Sequence, residues 1–215
     1  MKGIIYKDFF LGFRLTKNLL SWVAAVIMMT LIVIFMDGMF GFITISGITL
    51  PLVGSSLMQV TVEQDELTEF DKMQLTYPMT KKEIILSKYI GGLIVEGVCI
   101  LINFLLCMLY VYGFKTIPFI DAMYILLAGS VIGLIFFAIS YFGFILLGNK
   151  KGIIIYMIMI ALIAGFYGFT SLDIDYISLI KNNAMLIIGA GFIVSILSLI
   201  ASYFASLKIY TRRYS

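Results

Sequence analysis

The chain has no histidine. That removes imidazole metal ligands and His-based proton transfer from the outset. It has two cysteines, Cys99 and Cys107, both inside one apolar run at a spacing that places them near one helix face. They read as packing residues rather than as a bridge or a metal pair. Charge is scarce too, at 13% of residues, where an ordinary soluble domain carries about 25%. No paired carboxylates fall inside the apolar segments, so an intramembrane enzyme is poorly supported. The net charge of +3 is too small to advertise a nucleic-acid partner.

What remains is hydrophobic. Of the 215 residues 62% are apolar, and the mean hydropathy is +1.09. This excludes both a water-soluble globule and a disordered chain. A bilayer core about 30 Å thick takes about 20 mostly apolar residues per helical crossing. Six runs meet that length, at about 19–36, 39–62, 90–113, 119–147, 152–170 and 184–207. They are continuous in Leu, Ile, Met and Phe rather than alternating, which argues for helices over a β-barrel. The expected fold is therefore an all-α, polytopic membrane protein, one transmembrane domain over residues 1–215 with six helices. The run from Leu19 is too long for a cleavable leader, so the first helix is expected to stay as an anchor.

Orientation follows from Lys and Arg. Thirteen of the fifteen precede the first run, lie between the second and third or the fourth and fifth, or follow the sixth; only Lys115 and Lys181 fall in the other loops. The positive-inside rule places both termini in the cytoplasm.

Two segments are not crossings. Residues 1–18 put Lys7 and Arg14 on one side of a helical wheel and Ile5 and Phe9 on the other. That is the pattern of an amphipathic helix lying in the membrane interface, with a plain basic topogenic leader as the alternative. Residues 63–89 form the one substantial polar stretch. Leu67, Phe70 and Met73 recur every three positions among Glu63, Asp65, Glu66, Glu69 and Asp71, which predicts a short helix with an apolar stripe and an acidic rim. Pro78 stops it. Thr80-Lys81-Lys82-Glu83 then reads as a capping box that starts a new helix running into the third crossing. A helix, a break and a second helix suit a docking surface for a soluble partner; a solvated connector is the plainer alternative.

Inside the membrane, Glu96 and Asn103 share a face of the third run. They either line a polar track or hold helices together, and Glu96 has the further option of pairing with Lys88. Pro51 should kink the second helix, with Ser55 among the compensating hydroxyls. Phe166 belongs to an aromatic set that suits an apolar wall. With Pro51, Ser55, Glu96 and Asn103 it completes the candidate pathway. Loop 170–183 has the composition of a short re-entrant cap or an ordinary connection.

The leader Met1–Asp8, the acidic stretch Glu63–Asp71 and the run Tyr77-Pro78-Met79-Thr80-Lys81-Lys82-Glu83-Ile84 leading to Ser87-Lys88-Tyr89 together resemble the permease subunits of bacterial type-2 ABC exporters, particularly the short six-helix Gram-positive type. The resemblance implies a coupling helix between the second and third crossings that seats in an ATPase groove, with contacts from the N-terminal helix. It also implies a pair of permease chains, as homodimer or heterodimer, around one transport path. The chain has no phosphate-binding loop of its own, so ATP is expected on a separate polypeptide and no cofactor is expected in this chain. ATP and Mg belong to the partner ATPase. The expected function is export of a hydrophobic or amphipathic substrate, such as an antimicrobial or cytolytic peptide, a lipid-like molecule or a drug. An ATP-independent protein, a bacteriocin-immunity factor or a secondary transporter, is the alternative, although no internal repeat marks a secondary transporter.

Overall fold

The computed structural model describes residues 2–36, 38–170 and 183–213, with side chains from 166 to 170 left out. All described elements are helical: α1 (Lys2–Arg14), α2 (Thr16–Phe35), α3 (Met39–Leu67), α4 (Phe70–Met73), α5 (Lys81–Gly113), α6 (Phe119–Thr170) and α7 (Ala184–Arg213). Five of them, α2, α3, α5, α6 and α7, are long and apolar enough to cross a membrane.

The count differs from the expected six because α6 absorbs two of the predicted runs. It is not one rod. Gly148 sits inside it at φ 73° and ψ −174°, a region that only glycine enters cheaply. Phe136 and Tyr156 stack edge-on with ring centroids 5.1 Å apart. In a straight helix, twenty residues of separation would put them about 30 Å apart. The chain therefore doubles back at Gly148 into two limbs, 119–147 and 149–170, with Phe144 also against Tyr156.

The stretch 63–89 is largely helical, and the helix expected from the Thr80 cap, α5, starts at Lys81. The first five residues of the stretch extend α3 as far as Leu67, which leaves 68–80 as the connection. Glu69 adopts φ 51°, a left-handed conformation that ends α3 and turns α4 away from its axis. The predicted stripe through Leu67, Phe70 and Met73 is thus split across a break. At Thr80 the capping box is complete: the Glu83 amide donates to Thr80 Oγ1 at 3.3 Å, and the Thr80 amide donates to Glu83 Oε2 at 2.8 Å.

The kink expected at Pro51 takes another form. The turn Ile45–Thr49 just before it widens into π-helix, a local adjustment that accommodates the missing proline N–H. A second π turn, Leu109–Gly113, ends α5.

Packing centres on α6, which lies against α3 and α7. An aromatic cluster of Tyr89, Phe136, Phe137, Tyr141, Phe144 and Tyr156 fills the space between its limbs, α5 and α7. Polar cross-links tie the same layer: Tyr89 Oη lies 2.6 Å from Ser202 Oγ and 2.9 Å from Ser206 Oγ, and Ser202 donates to the Ala138 carbonyl at 2.6 Å. Hydroxyls of this kind replace water as partners inside a bilayer. Cys99 and Cys107 are free thiols buried in two different clusters. The exception to this packing is α2, whose most apolar stretch is only 6% buried.

Candidate functional site

One end of the bundle gathers α1, the end of α3, the connection 68–80, the start of α5, the Gly148 corner and the end of α7. Most of the basic residues lie in these segments, so it is called the basic end below. Its centre is a buried charge cluster. Asp65 is 4% exposed; its carboxylate accepts from Lys7 on one oxygen and from Lys88 on the other at 2.7 Å. Lys7 also pairs with buried Asp8 at 3.1 Å. Three separate elements, α1, α3 and α5, are thereby pinned together by complementary charges that have little access to solvent.

This cluster revises several expectations. Asp65 faces inward instead of belonging to an exposed acidic rim. Lys7 serves Asp65 rather than lipid headgroups, and the face that α1 buries carries Ile4, Asp8 and Gly12, not Ile5 and Phe9. Lys88 is taken by Asp65, so it is not the partner of Glu96.

The rest of the acidic stretch divides between internal ties and exposed surface. Glu66 accepts from the Asn149 amide at 2.8 Å, which fastens α3 to the corner of the α6 hairpin. A Cβ placed on Gly148 would sit 2.6 Å from the same carboxylate, so the Glu66 side chain would have to shift. Glu63 pairs with Lys17 at 3.0 Å, and Glu69 with Lys72 at 3.3 Å on the surface. Phe70, on the predicted apolar stripe, is half-buried: the Lys7 ammonium lies 4.0 Å from its ring centre, and Tyr77 meets it edge-on at 6.1 Å. Asp71 is half-buried beside it, and its backbone carbonyl accepts from Gln74 Nε2 at 3.3 Å. Gln74 is itself buried and donates to Tyr210 Oη at 3.1 Å, tying the connection to α7. What projects outward is Leu67, 71% exposed, and Met73, 49% exposed, flanked by Glu69 and Lys72. Pro78 is exposed at the turn before the Thr80–Glu83 cap.

The candidate pathway residues form a layer in the middle of the bundle. Pro51 and Ser55 on α3 and Glu96 and Asn103 on α5 are all buried. The Glu96 carboxyl group lies between Gly54 of α3 and Gly133 of α6, where a Cβ on either glycine would clash with it. One of its oxygens has no hydrogen-bond partner. Asn103 donates to Ser46 Oγ at 2.9 Å while its own carbonyl oxygen is unpartnered. Ser55 returns its hydroxyl to the Pro51 carbonyl at 3.1 Å, and Tyr156 donates to the Leu52 carbonyl at 2.9 Å. The cavity beside Glu96 and Asn103 holds about 10 Å³, room for about one water. In this conformation these groups join three helices and do not line an open passage. The side chain of Phe166 and most of loop 170–183 lie outside the described residues.

A much larger space opens elsewhere: an apolar cleft of about 560 Å³ between α2 and the paired α3 and α5. Sequence reasoning had no access to it, nor to the pairing of Lys7, Asp8 and Lys88 with Asp65. The one available hint was Asp8, the sole acid in the basic leader, spaced four residues from Ile4 and from Gly12.

Among the described residues no group of His, Cys, Asp and Glu is arranged to hold a metal ion. The buried charges at the basic end, Lys7, Asp65 and Lys88, join helices. A family model for ABC-2 family transporter proteins matches residues 3–211, nearly the whole chain. The chain belongs to the ABC-2 transporter family. It is a type-2 ABC permease, a multi-pass protein of the cell membrane, and membership of that family implies an ATPase partner. No curated protein and no solved structure matches the permease significantly.

Proposed function

We propose that this permease forms the path for a hydrophobic or amphipathic substrate in an ATP-driven exporter, with six crossings, both termini in the cytoplasm and an ATPase docked on the basic end. A second permease chain completes the path. The observation that carries the docking is the convergence of α1, the connection 68–80 and the Gly148 corner on one end, fastened by Lys7–Asp65–Lys88 and by Glu66 to the Asn149 amide. A push on any one of these segments reaches α3, α5 and both limbs of α6 through short polar ties. A coupling element needs that connectivity. The doubling-back at Gly148 supports six crossings, since each limb has the length of one.

The docking surface follows from exposure. Leu67 at the end of α3 and Met73 and Tyr77 of the connection are the large apolar side chains exposed here, with Glu63, Glu66, Glu69 and Asp71 in the same stretch of chain. Buried apolar anchors supply affinity at such contacts, and the charged rim supplies orientation. Phe70 and Asp65 act from behind by shaping this surface. The test is co-purification of the permease with its ATPase, together with ATPase stimulation. Leu67→Ala with Met73→Ala is expected to weaken assembly, while Glu69→Lys slows it more at low salt than at high salt. Variants that insert, assemble and stimulate like the parent would remove the docking role from this segment. Apolar side chains lining the bundle, with few free charges, support hydrophobic cargo; dye or peptide efflux by the complete complex checks it.

A further inference from the structure

We propose that the cleft between α2 and α3/α5 is a binding site for one acyl chain of a phospholipid, drawn from the leaflet at the basic end. The walls are Trp22, Met29 and Val33 of α2, Val53 of α3, and Val98 and Ile102 of α5. Thr30 brings the one side-chain hydroxyl, and it already donates to the Val26 carbonyl at 2.8 Å. Water in such a space would find no partner, so the space is filled by something apolar.

Its dimensions choose the occupant. From Trp22 to Val33 the cleft follows α2 for about 17 Å at 1.5 Å per residue. Spread over that length, the 560 Å³ open to the centre of a water-sized sphere leaves a core of roughly 33 Å², and the sphere's own radius on either side widens the tube between atom surfaces to about 9 Å. A helix from a second copy of the chain has a diameter of about 10–12 Å with its side chains and does not fit. A methylene chain, whose width is set by carbon–carbon contacts near 4 Å, fits with its length along the membrane normal.

The floor and mouth agree. At the basic end Trp22 donates to the Gly12 carbonyl at 3.0 Å and packs on Phe13 at 4.9 Å, so the α1–α2 corner lines that end of the cleft. Arg14 follows Phe13 at the α1–α2 corner. Lys7 is held by Asp65 and Lys17 by Glu63, whereas Arg14 makes no ion pair among the described residues. Its guanidinium lies 5.3 Å from the Phe10 ring centre, which leaves its charge to the phosphate of a lipid at that corner. The bound chain supplies packing that α2 otherwise lacks.

Trp22 is the only tryptophan in the chain, so the native protein reports on the site. In vesicles of phospholipid brominated along the acyl chain, Trp22 is expected to lose most of its emission. Ala25→Phe and Val98→Phe, which fill the cleft from opposite walls, are expected to recover most of that loss. Leu20→Phe, on a lipid-facing position outside the cleft, is expected to leave it unchanged. Native mass spectrometry should show one phospholipid retained per parent chain and none on the filled variants. Arg14→Gln should keep the quenching but lose preference for anionic lipid. Equal quenching in parent and filled variants means ordinary boundary lipid and overturns the proposal. So does weak quenching accompanied by cross-linking of Val98→Cys between two copies, which would make the cleft an interface. Circular dichroism and gel filtration identify a misfolded variant, and the filled variant on the other wall then decides.

Discussion

Replacing Asp65 by Asn tests whether the charge cluster holds the basic end together. The substitution keeps size and removes one negative charge facing two ammonium groups. Lys88 loses the partner at 2.7 Å that justifies its burial, its side chain being 7% exposed. Breaking a buried pair by removing one partner costs about 3–5 kcal/mol, because the remaining charge stays buried. Lys7, 20% exposed, recovers part of its solvation and keeps Asp8. Asp8 also attracts Lys88, which moves the expected cost to the lower end, about 3 kcal/mol. For a domain of about this size each kcal/mol shifts the unfolding midpoint by roughly 2–4 °C, so Asp65→Asn should lower it by roughly 6–12 °C. The assay is thermal unfolding of detergent-purified permease followed by Trp22 fluorescence, which senses the neighbouring α1–α2 corner. Lys88→Met combined with Asp65→Asn should recover part of the loss, since no orphan ammonium remains. The pair therefore shows a coupling energy in a double-mutant cycle. A midpoint unchanged within error for Asp65→Asn, or a double variant that falls by the sum of the singles, would refute the account.

Three further outcomes follow from other parts of the fold. Gly148→Ala should destabilise the permease by about 1–3 kcal/mol, through backbone strain at φ 73° and crowding of the Glu66 carboxylate. It should also loosen the hairpin, read as less efficient cross-linking between cysteines placed at Gly143 and Ile155. Thr80→Ala removes the side chain that caps α5 and should cost about 1 kcal/mol, with faster amide exchange confined to the first turn from Lys81; uniform protection would show the cap is dispensable. In a variant free of Cys99 and Cys107, a cysteine at Thr68 should react with an impermeant reagent only after the cells are opened, and one at Thr116 in intact cells. The reverse pattern would invert the proposed orientation.

The hydrophobic runs, the basic loops and the Thr80–Glu83 cap were readable from order along the chain because each depends on residues within a few turns of one another. Helix starts and apolar lengths are local properties, set by propensity, capping and the thickness of the bilayer. The α6 hairpin was legible as two runs, although the turn itself rests on a single glycine whose backbone angle sequence does not display. The partners of charges were not legible. Asp65 has the same neighbours in sequence whether it points to an ATPase or into the bundle, and only the approach of α1 and α5 decided that Lys7 and Lys88 claim it. Glu96 likewise settled between Gly54 and Gly133 because three helices meet there. The cleft beside α2 has no linear signature at all, since it is the space left where helices do not touch. Sequence alone determined that this is a multi-helix membrane chain with a structured, charged end. Which charges are buried, which apolar residues remain free to bind, and where the bundle is incomplete were decided by tertiary packing, because those depend on contacts between segments far apart in the chain.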